Sequence, residues 1–355
     1  MDYKQYTDEA VSLLSRLIST PSISRDEKAA ADLLEEQMRD WGMHPRRIGN
    51  NLLIQERLEP CKPTMLLNAH IDTVKPVSTW TRDPFTPIIE GDRLYGLGSN
   101  DCGGGLVSLL QVYRIMCEYA KQYTTPYNMV FLASCEEEVS GAGGFSLALP
   151  ELPHIDVAVV GEPTGMQPAA AEKGLMVIDG VAQGRSGHAA REEGVNAIYE
   201  ALDDLLWLRD YRFPRVSPLL GPTKMTVTVL NAGTQHNVVP DECRFVIDVR
   251  PNEYEKNEEL FAFIQQHMKK CELKARSFRL SSSSISEDHP LLLRCLGMGM
   301  RPFGSPTLSD QALMPFPSLK LGPGDSARSH AADEYICVSE IAHAIETYVR
   351  LFVRK

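Results

Sequence analysis

The sequence predicts an α/β protein in which helices cover a mostly parallel β-sheet and a second domain is inserted into the chain. Two apolar runs, 128–134 and 155–160, are nearly continuous, as is typical of strands covered on both faces. After Leu106 the apolar residues instead follow helical spacing, which predicts a helix packed on this sheet. From about Val177 the order changes to β-α-β-β-α-β, which indicates the inserted domain.

The first domain is predicted to be discontinuous and to take residues 1–176 and 284–355. Ser24-Arg25-Asp26-Glu27 matches the capping box that starts a helix. Gly42 is the predicted helix terminator, because glycine accepts the left-handed backbone that ends many helices. Besides the apolar strands, the elements predicted here are helices at 8–19, 24–40 and 338–352 and strands at 52–55 and 64–69.

The inserted domain is predicted to span 177–283 and to be ferredoxin-like. Its length, roughly a hundred residues, is normal for a small domain. The polar run 281–284 then returns the chain to the first domain. The predicted elements are strands at 176–182, 225–230, 244–249 and 273–280 and helices at 195–208 and 260–268.

Composition excludes several classes of partner. The 355 residues carry a net charge of −11 without a Lys/Arg cluster, which argues against nucleic acid or an anionic membrane. Residues 1–6 are polar and lead directly into a helix, so neither a secretory segment nor a membrane span is predicted, and the expected location is cytoplasmic. The eight cysteines lack Cys-x-x-Cys spacing, which suits reduced thiols.

Five loops at one edge of the predicted sheet carry side chains that can bind metal. Predicted strands end at His70, before Glu136-Glu137-Glu138 and before Glu162. Asp101 lies in a glycine-rich loop, and His330 lies near the C-terminus. Because open α/β sheets bind ligands at the carboxyl ends of their strands, we expect these side chains to lie together.

Histidine and carboxylate ligands without thiolate favour zinc, with cobalt or manganese as substitutes. Two such cations can lie close together only if a carboxylate bridges them, and Asp101 is the natural bridge. Two metals acidify a water and polarise a carbonyl, so the site would hydrolyse amides. A carboxylate that is not a ligand must then take the water proton, and the glutamate triplet offers one. Asp72 is expected to accept the other imidazole N–H of His70.

Other interpretations of these residues stay open. A dinucleotide loop around Asp101 is disfavoured, because this carboxylate occupies the third glycine position of G-x-G-x-x-G and would repel a pyrophosphate. The glutamate triplet could be a solvated acidic patch, and Glu162 a plain loop carboxylate. His330 could cap the last helix, and His188 could be a surface loop residue.

The motifs, in their order and spacing, resemble the acetylornithine deacetylase/succinyl-diaminopimelate desuccinylase/carboxypeptidase family of dinuclear zinc hydrolases over essentially the whole chain. The resemblance implies a catalytic metal-binding domain with an inserted dimerisation or lid domain. The motifs that carry it are His70-x-Asp72, Gly98-x-x-Asp101-x-x-Gly104, a Glu-Glu pair before Ser140-Gly141-Ala142-Gly143, Gly161-Glu162-Pro163-Thr164, and His330.

This resemblance implies two metal sites, one formed by His70, Asp101 and Glu162 and the other by Asp101, Glu138 and His330. Glu137 corresponds to the general base. With Glu136 and Glu137 as the pair, the following glycines would fall one residue too far. The resemblance also implies a cis peptide at Asp101-Cys102, where Cys102 replaces the family's usual Asp or Asn.

In the inserted domain, His188 resembles the family histidine that reaches across a dimer interface to steady the oxyanion. Asn237 falls in the substrate-facing region, and Lys173 and Arg250 are alternative clamps for a substrate carboxylate. A homodimer built through 177–283 is therefore expected.

The implied reaction removes the N-acyl group of an N-acyl-L-amino acid, a small-molecule substrate. The expected case converts N2-acetyl-L-ornithine to L-ornithine and acetate, in arginine biosynthesis. The alternatives are desuccinylation of N-succinyl-ornithine or N-succinyl-diaminopimelate, and a dipeptidase or carboxypeptidase with the same site. A non-catalytic, metal-stabilised binding protein is the rival of another class, and the presence of Glu137 and Asp72 argues against it.

Overall fold

The computed structural model describes residues 2–55 and 58–353. The chain divides into two compact units. The predicted insertion, 177–283, falls inside the second unit, which begins earlier and also takes a short later segment. The first unit comprises Met1–Ala170, Ile285–Phe303 and Ser309–Lys355, and the second comprises Ala171–Ser284 and Gly304–Leu308.

Helices and strands alternate along much of the chain. The α-helices of the described residues are α1 Lys4–Ile18, α2 Lys28–Asp40, α3 Gly104–Glu118, α4 Phe145–Ala148, α5 Ala197–Asp210, α6 Asn257–His267, α7 Pro290–Gly297 and α8 Val338–Phe352. The strands are β1 Arg46–Ile48, β2 Asn51–Gln55, β3 Thr64–His70, β4 Ile88–Glu90, β5 Arg93–Tyr95, β6 Asn128–Ser134, β7 Val157–Val160, β8 Ala169–Glu172, β9 Met176–Gln183, β10 Val216–Ser217, β11 Gly221–Pro222, β12 Lys224–Ala232, β13 Glu242–Arg250, β14 Glu272–Ala275, β15 Ser283–Ser284, β16 Phe303–Ser305, β17 Ser318–Lys320 and β18 Tyr335–Cys337.

The central sheet of the first unit has the strand order β1-β2-β6-β3-β7-β17-β8. The four middle strands run parallel, and antiparallel pairs flank them on both sides. In the register of β3 and β6, His70 lies opposite Ser134, and in that of β3 and β7, Asn68 lies opposite Val160. The carboxyl ends of three strands are therefore level at one edge, and the predicted mostly parallel sheet is confirmed.

Both faces of this sheet are covered, which explains why its strands read as continuous apolar runs. Met65, Leu67 and Phe131 belong to a large cluster that includes residues of α1, α3 and α8. Leu66 and Val130, which alternate with them, belong to a second cluster around α4. Because successive strand residues point to opposite faces, both sets must be apolar.

The second unit has the ferredoxin-like arrangement that the sequence predicts. Its four-stranded sheet, ordered β12-β13-β9-β14, is antiparallel throughout, and α5 and α6 contribute to its core. Strand β14 ends at Ala275 instead of near 280. Beyond it, the Asn257 amide at the start of α6 donates to the carbonyls of Phe278 and Leu280, so this segment leaves the sheet.

The predicted capping box at Ser24 is wrong. Helix α2 begins only at Lys28, and the Ser24 hydroxyl donates to the carboxylate of Asp72 at 2.7 Å instead of capping the helix. Gly42 adopts the left-handed backbone, with φ of 77°, just after α2, as predicted. No helix among residues 2–55 and 58–353 is long and apolar enough to cross a bilayer.

Candidate metal centre

Glycine residues allow two backbone segments of the site to approach each other closely. A Cβ atom on Gly105, in the first turn of α3, would lie 1.6 Å from the carbonyl oxygen of Gly161, just after β7. Only glycine permits this approach of backbone to backbone. The glycine-rich loop therefore brings the start of α3, and Asp101 before it, against the strand end that carries Glu162.

His70 is 2% exposed and offers one ring nitrogen to its acidic neighbours. Its Nδ1 lies 2.9 Å from the main-chain oxygen of Asp72, and because a carbonyl only accepts, Nδ1 carries the proton. Nε2 then lies 3.3 Å from Asp101 Oδ1 and 3.7 Å from Glu162 Oε1. This is the orientation in which the imidazole can bind a cation through Nε2.

The two oxygens of Asp101 face different histidines. Oδ1 faces His70, as described, and Oδ2 lies 3.6 Å from His330 Nε2. The same His330 nitrogen lies 3.0 Å from Glu138 Oε2. The His70 imidazole and the His330–Glu138 pair therefore meet at the carboxylate of Asp101. The cis peptide expected at Asp101-Cys102 is present.

The electrostatics of the site reflect closely packed acids. Burial, together with Asp101, raises the pKa of Glu162 to about 8. Burial also raises the pKa of Glu137 well above its ordinary value. Hydrogen bonding to Glu138 raises the pKa of His330 to about 9. Such a set of carboxylates is compensated by positive charge, and it suits a divalent cation.

A buried oxygen atom tests whether the residues fit a metal. Glu162 Oε1 is inaccessible and has no hydrogen-bond partner among the described residues. His70, Asp101 and Glu138 each offer one possible metal-ligand atom, and these three atoms lie within 4.8 Å of one another. The same is true of His70, Cys102 and Glu162. An orphaned carboxylate oxygen beside clustered nitrogen and oxygen donors fits a bound cation.

The Asp72 carboxylate forms its hydrogen bonds with neighbouring loops. Its carboxylate accepts the backbone N–H of Glu137 at 3.0 Å, that of Glu138 at 3.2 Å and the hydroxyl of Ser24. Its Oδ1 lies 3.6 Å from His70 Nδ1, which bonds the Asp72 carbonyl. The predicted carboxylate–imidazole hydrogen bond is therefore wrong, and the side chain holds the loop that carries the glutamates.

The three consecutive glutamates diverge. Glu136, with φ of 53°, turns toward the glycines and accepts the N–H of Gly143 at 3.2 Å. Glu138 faces His330, and Glu137 is half-buried, with its pKa raised by burial and by the charge of Glu162 and lowered by that of His70.

Three polar residues around the centre had no role in the sequence analysis. Asp310 is buried and accepts the Ser134 hydroxyl at 2.5 Å, and burial raises its pKa to about 6. Asn100 bonds the main chain of Asp325, and Glu334 bonds the loop of Asp101. Glu334 follows His330 closely in sequence, which is the one signal that could have pointed to it.

In the second unit, the loops of His188 and Asn237 lie side by side. The N–H of Ala189 donates to the carbonyl of Asn237 at 3.0 Å, and both predicted site residues are exposed. A cavity of about 820 Å³ next to them is lined by residues that include Arg191 and His236.

Lys173 and Arg250 already have partners inside the second unit. Lys173 is 8% exposed and donates to the carbonyl of Pro222 at 2.8 Å. Burial lowers its pKa, and the nearby charges of Lys224 and Arg250 lower it further. Arg250 forms a two-pronged pair with Asp248, with distances of 2.8 and 3.1 Å. The choice of carboxylate clamp stays a prediction.

Sequence comparison relates the chain to named proteins. Residues 66–354 match the profile described as peptidase family M20/M25/M40. Acetylornithine deacetylase of Pectobacterium carotovorum is 31% identical over 363 residues, which cover 92% of each chain. Acetylornithine deacetylase of Proteus mirabilis is 30% identical over 361 residues, covering 92% of this chain and 91% of its own.

Solved structures share the fold across both units. Aminopeptidase PepT from Bacillus cereus matches with a TM-score of 0.78 and 18% identity over 98% of each chain. A dinuclear metal binding peptidase of the M20 family from Bacillus subtilis matches with a TM-score of 0.74 and 15% identity, again over 98% of each chain. At such identities, the likeness concerns the fold alone.

Proposed function

Because the chain belongs to peptidase family M20/M25/M40 and is therefore a metal-dependent hydrolase, we propose that it removes the N-acyl group from N-acyl-L-amino acids at a two-metal centre. One observation carries the proposal. The two oxygens of Asp101 face His70 at 3.3 Å and His330 at 3.6 Å, which is the geometry that a bridging carboxylate requires. Membership of this hydrolase family argues against the alternative that the chain is a non-catalytic, metal-stabilised binding protein.

The donor set supports two cations that share Asp101. His70 and Glu162 would complete one site, and Glu138 and His330 the other. Imidazole and carboxylate ligands favour zinc, with cobalt or manganese as substitutes. When bound, the pair supplies a Lewis acid that polarises the scissile carbonyl and acidifies water.

Glu137 is the proposed general base. It accepts the proton of the attacking water at its carboxylate and delivers it to the leaving nitrogen. The burial that raises its pKa favours this exchange, because a carboxylate with a raised pKa holds a proton better at neutral pH. Asp72 supports the reaction indirectly, since it holds the backbone of Glu137 and Glu138.

N2-acetyl-L-ornithine is the proposed substrate, because the relatives at 30% and 31% identity that match over most of their length are acetylornithine deacetylases. N-succinyl-ornithine and N-succinyl-diaminopimelate are the alternatives. A succinyl group adds one carboxylate, which Lys173 or Arg250 could bind. A dipeptidase or carboxypeptidase is the further alternative, since the solved structures include peptidases.

We also propose that the chain forms a homodimer through the inserted domain. Strand β12 is an outer strand of its sheet, and Leu230 on it is 54% exposed. On α5, which packs against β12, Tyr199, Leu202 and Leu206 are exposed on one helical face. An unpaired strand edge beside exposed apolar side chains suits an identical edge from a second copy. In such a dimer His188 would serve the partner's reaction.

The test measures release of free α-amine from N-acetyl-ornithine, N-succinyl-ornithine, N-succinyl-diaminopimelate and an unacylated dipeptide. Each assay runs with and without a zinc chelator. We expect chelator-sensitive cleavage of N-acetyl-ornithine and far slower cleavage of the dipeptide. Preferential cleavage of a succinylated substrate would replace acetyl by succinyl in the proposal. Preference for the dipeptide, or no turnover with two metals bound, would refute it.

A further inference from the structure

Glu334 carries a buried carboxylate whose hydrogen bonds all go to the loop of Asp101. It is 3% exposed. Its Oε1 accepts the backbone N–H of Asn100 at 2.8 Å and that of Asp101 at 2.9 Å, and its Oε2 accepts that of Gly98 at 3.0 Å. Its main-chain oxygen accepts a fourth N–H, from Gly96, at 3.0 Å.

These backbone groups need an outside acceptor because the loop is irregular. Gly98 has a left-handed φ of 74°, and Asp101 has extended dihedrals, with φ of −115° and ψ of 100°, so neither residue continues a helix. Buried N–H groups without partners are costly, and a carboxylate with two oxygens can satisfy three of them together.

The Glu334 segment is itself held in place. The neighbouring Asp333 carboxylate accepts the N–H of Thr81 at 3.0 Å and that of Arg82 at 3.1 Å. Glu334 also lies only four residues after His330. One short segment therefore carries the proposed ligand His330 and the carboxylate that fixes the backbone of the proposed bridge, Asp101.

We propose that Glu334 is a positioning residue for the metal bridge: its carboxylate fixes the main chain at Asp101 so that the two oxygens of that side chain face His70 and His330. This inference rests on the proposed two-metal function. It adds a residue that touches neither substrate nor metal and acts through the backbone of Asp101.

The test replaces Glu334 by Gln. The amide keeps the size of the carboxylate but turns one acceptor oxygen into an NH₂ group that faces a backbone N–H, so the loop must shift. Loss of a partner behind a metal ligand lowers metal affinity by about 10–100-fold. We expect that loss for the weaker of two zinc-binding steps in calorimetric titration of the metal-free protein, a changed visible spectrum of the cobalt-loaded protein, and a lower kcat with little change in KM.

Glu340→Gln is the matched control. Glu340 is a glutamate of the same C-terminal region, half-buried where Glu334 is buried. Its carboxylate also accepts a backbone N–H, that of Cys337 at 2.9 Å, but its other partner is Arg328. This variant should keep both zinc affinities and the cobalt spectrum. If Glu334→Gln does not fold, Glu334→Asp keeps both oxygens but withdraws them by one methylene, and the same changes in affinity and spectrum are expected.

The outcomes separate this inference from the proposed function. A wild-type protein that binds fewer than two zinc ions would contradict the two-metal proposal itself. Two ions in the wild type, with zinc affinities and a cobalt spectrum unchanged in the Glu334 variant, would overturn only the positioning role.

Discussion

Glu136, Glu137 and Glu138 are adjacent in sequence but have different surroundings. A backbone with φ of 53° at Glu136 turns that side chain toward Gly143, while Glu138 faces His330 and Glu137, which is half-buried, has a raised pKa. The chemistry of each carboxylate therefore depends on one local twist of the chain. Substitution by the equally large glutamine can separate their roles.

Glu137→Gln should lower kcat by about 10²–10⁴-fold, because an amide cannot take the water proton. Both metals should stay bound, since Glu137 is not among the proposed ligands. Enzyme kinetics and metal analysis of the purified variant measure the two effects. Glu136→Gln is the neighbouring control and should retain near wild-type turnover. Loss of metal from the Glu137 variant would show that Glu137 is a metal ligand, so that Glu136 and Glu137 form the pair of base and ligand instead of Glu137 and Glu138.

His289 provides a pH-dependent contribution to stability away from the metal centre. Its Nδ1 accepts the N–H of Leu291 and so caps α7, which requires an unprotonated nitrogen. Burial lowers its pKa below the ordinary 6.5, against the opposing charge of Asp288. The unfolded chain therefore binds this proton more readily, and the stability of the folded protein decreases as the pH is lowered.

We expect the contribution of His289 to be complete above pH 6.5 and to be lost as the pH falls through its lowered pKa. His289→Asn keeps a capping acceptor without a titrating group, so it should weaken the loss of stability between about pH 7 and 5. Urea unfolding at several pH values measures this. His44→Asn, at an exposed position, should leave the pH profile unchanged. Identical profiles for the wild type and His289→Asn would contradict the assignment.

At the scale of elements, the contact between the start of α3 and the end of β7 determines the site. The Gly105 backbone meets the carbonyl of Gly161, and Glu162 is the next residue. Any side chain at 105 would push the helix from the strand end. It would separate Asp101 from Glu162 as well, because these residues flank the contact.

Gly105→Ala should destabilise the protein by about 1–3 kcal/mol, the usual cost of forcing extra atoms into a packed interior. It should also weaken metal binding. Thermal unfolding and zinc titration measure both effects. Gly297→Ala in α7 is the control, since a Cβ there has open space, and a gain of up to about 1 kcal/mol is expected. An unchanged unfolding midpoint for Gly105→Ala would contradict the close packing.

At the scale of the whole molecule, the proposed dimer depends on an apolar face outside the metal-binding unit. Leu206 on α5 is 42% exposed, and Leu293 on α7, in the other unit, is 50% exposed. The two leucines are similarly accessible, but Leu206 lies on helix α5, which packs against the outer strand β12, whereas Leu293 lies on α7, which packs against α8. They form a matched pair for testing the interface.

Leu206→Glu should convert a dimer into a monomer, because a charge in the centre of an apolar interface would lose its hydration. Light scattering coupled to size exclusion measures the mass, and turnover should fall along with it if His188 serves the partner. Leu293→Glu should keep the dimer. A wild-type monomer, or a fully active Leu206→Glu monomer, would refute the proposed assembly.

The sequence by itself determined the parallel sheet, the ferredoxin-like insertion and the family. Apolar periodicity reports burial directly, so the strand at 128–134 and the final helix at 338–352 were predicted at their observed positions. The grouping of His70, Asp101 and Glu162 followed from the rule that strand ends meet at one edge. Each of these inferences depends on a pattern that is local or that repeats along the chain.

Only the tertiary structure decided what the polar side chains bind. The Ser24 motif predicts a helix cap, but its hydroxyl is taken by Asp72, 48 positions away. Asp72 in turn holds the glutamate loop, and Glu334 holds the loop of Asp101 across more than two hundred residues. Hydrogen-bond partners of this kind are fixed by folding distant segments together, and no local spacing records them.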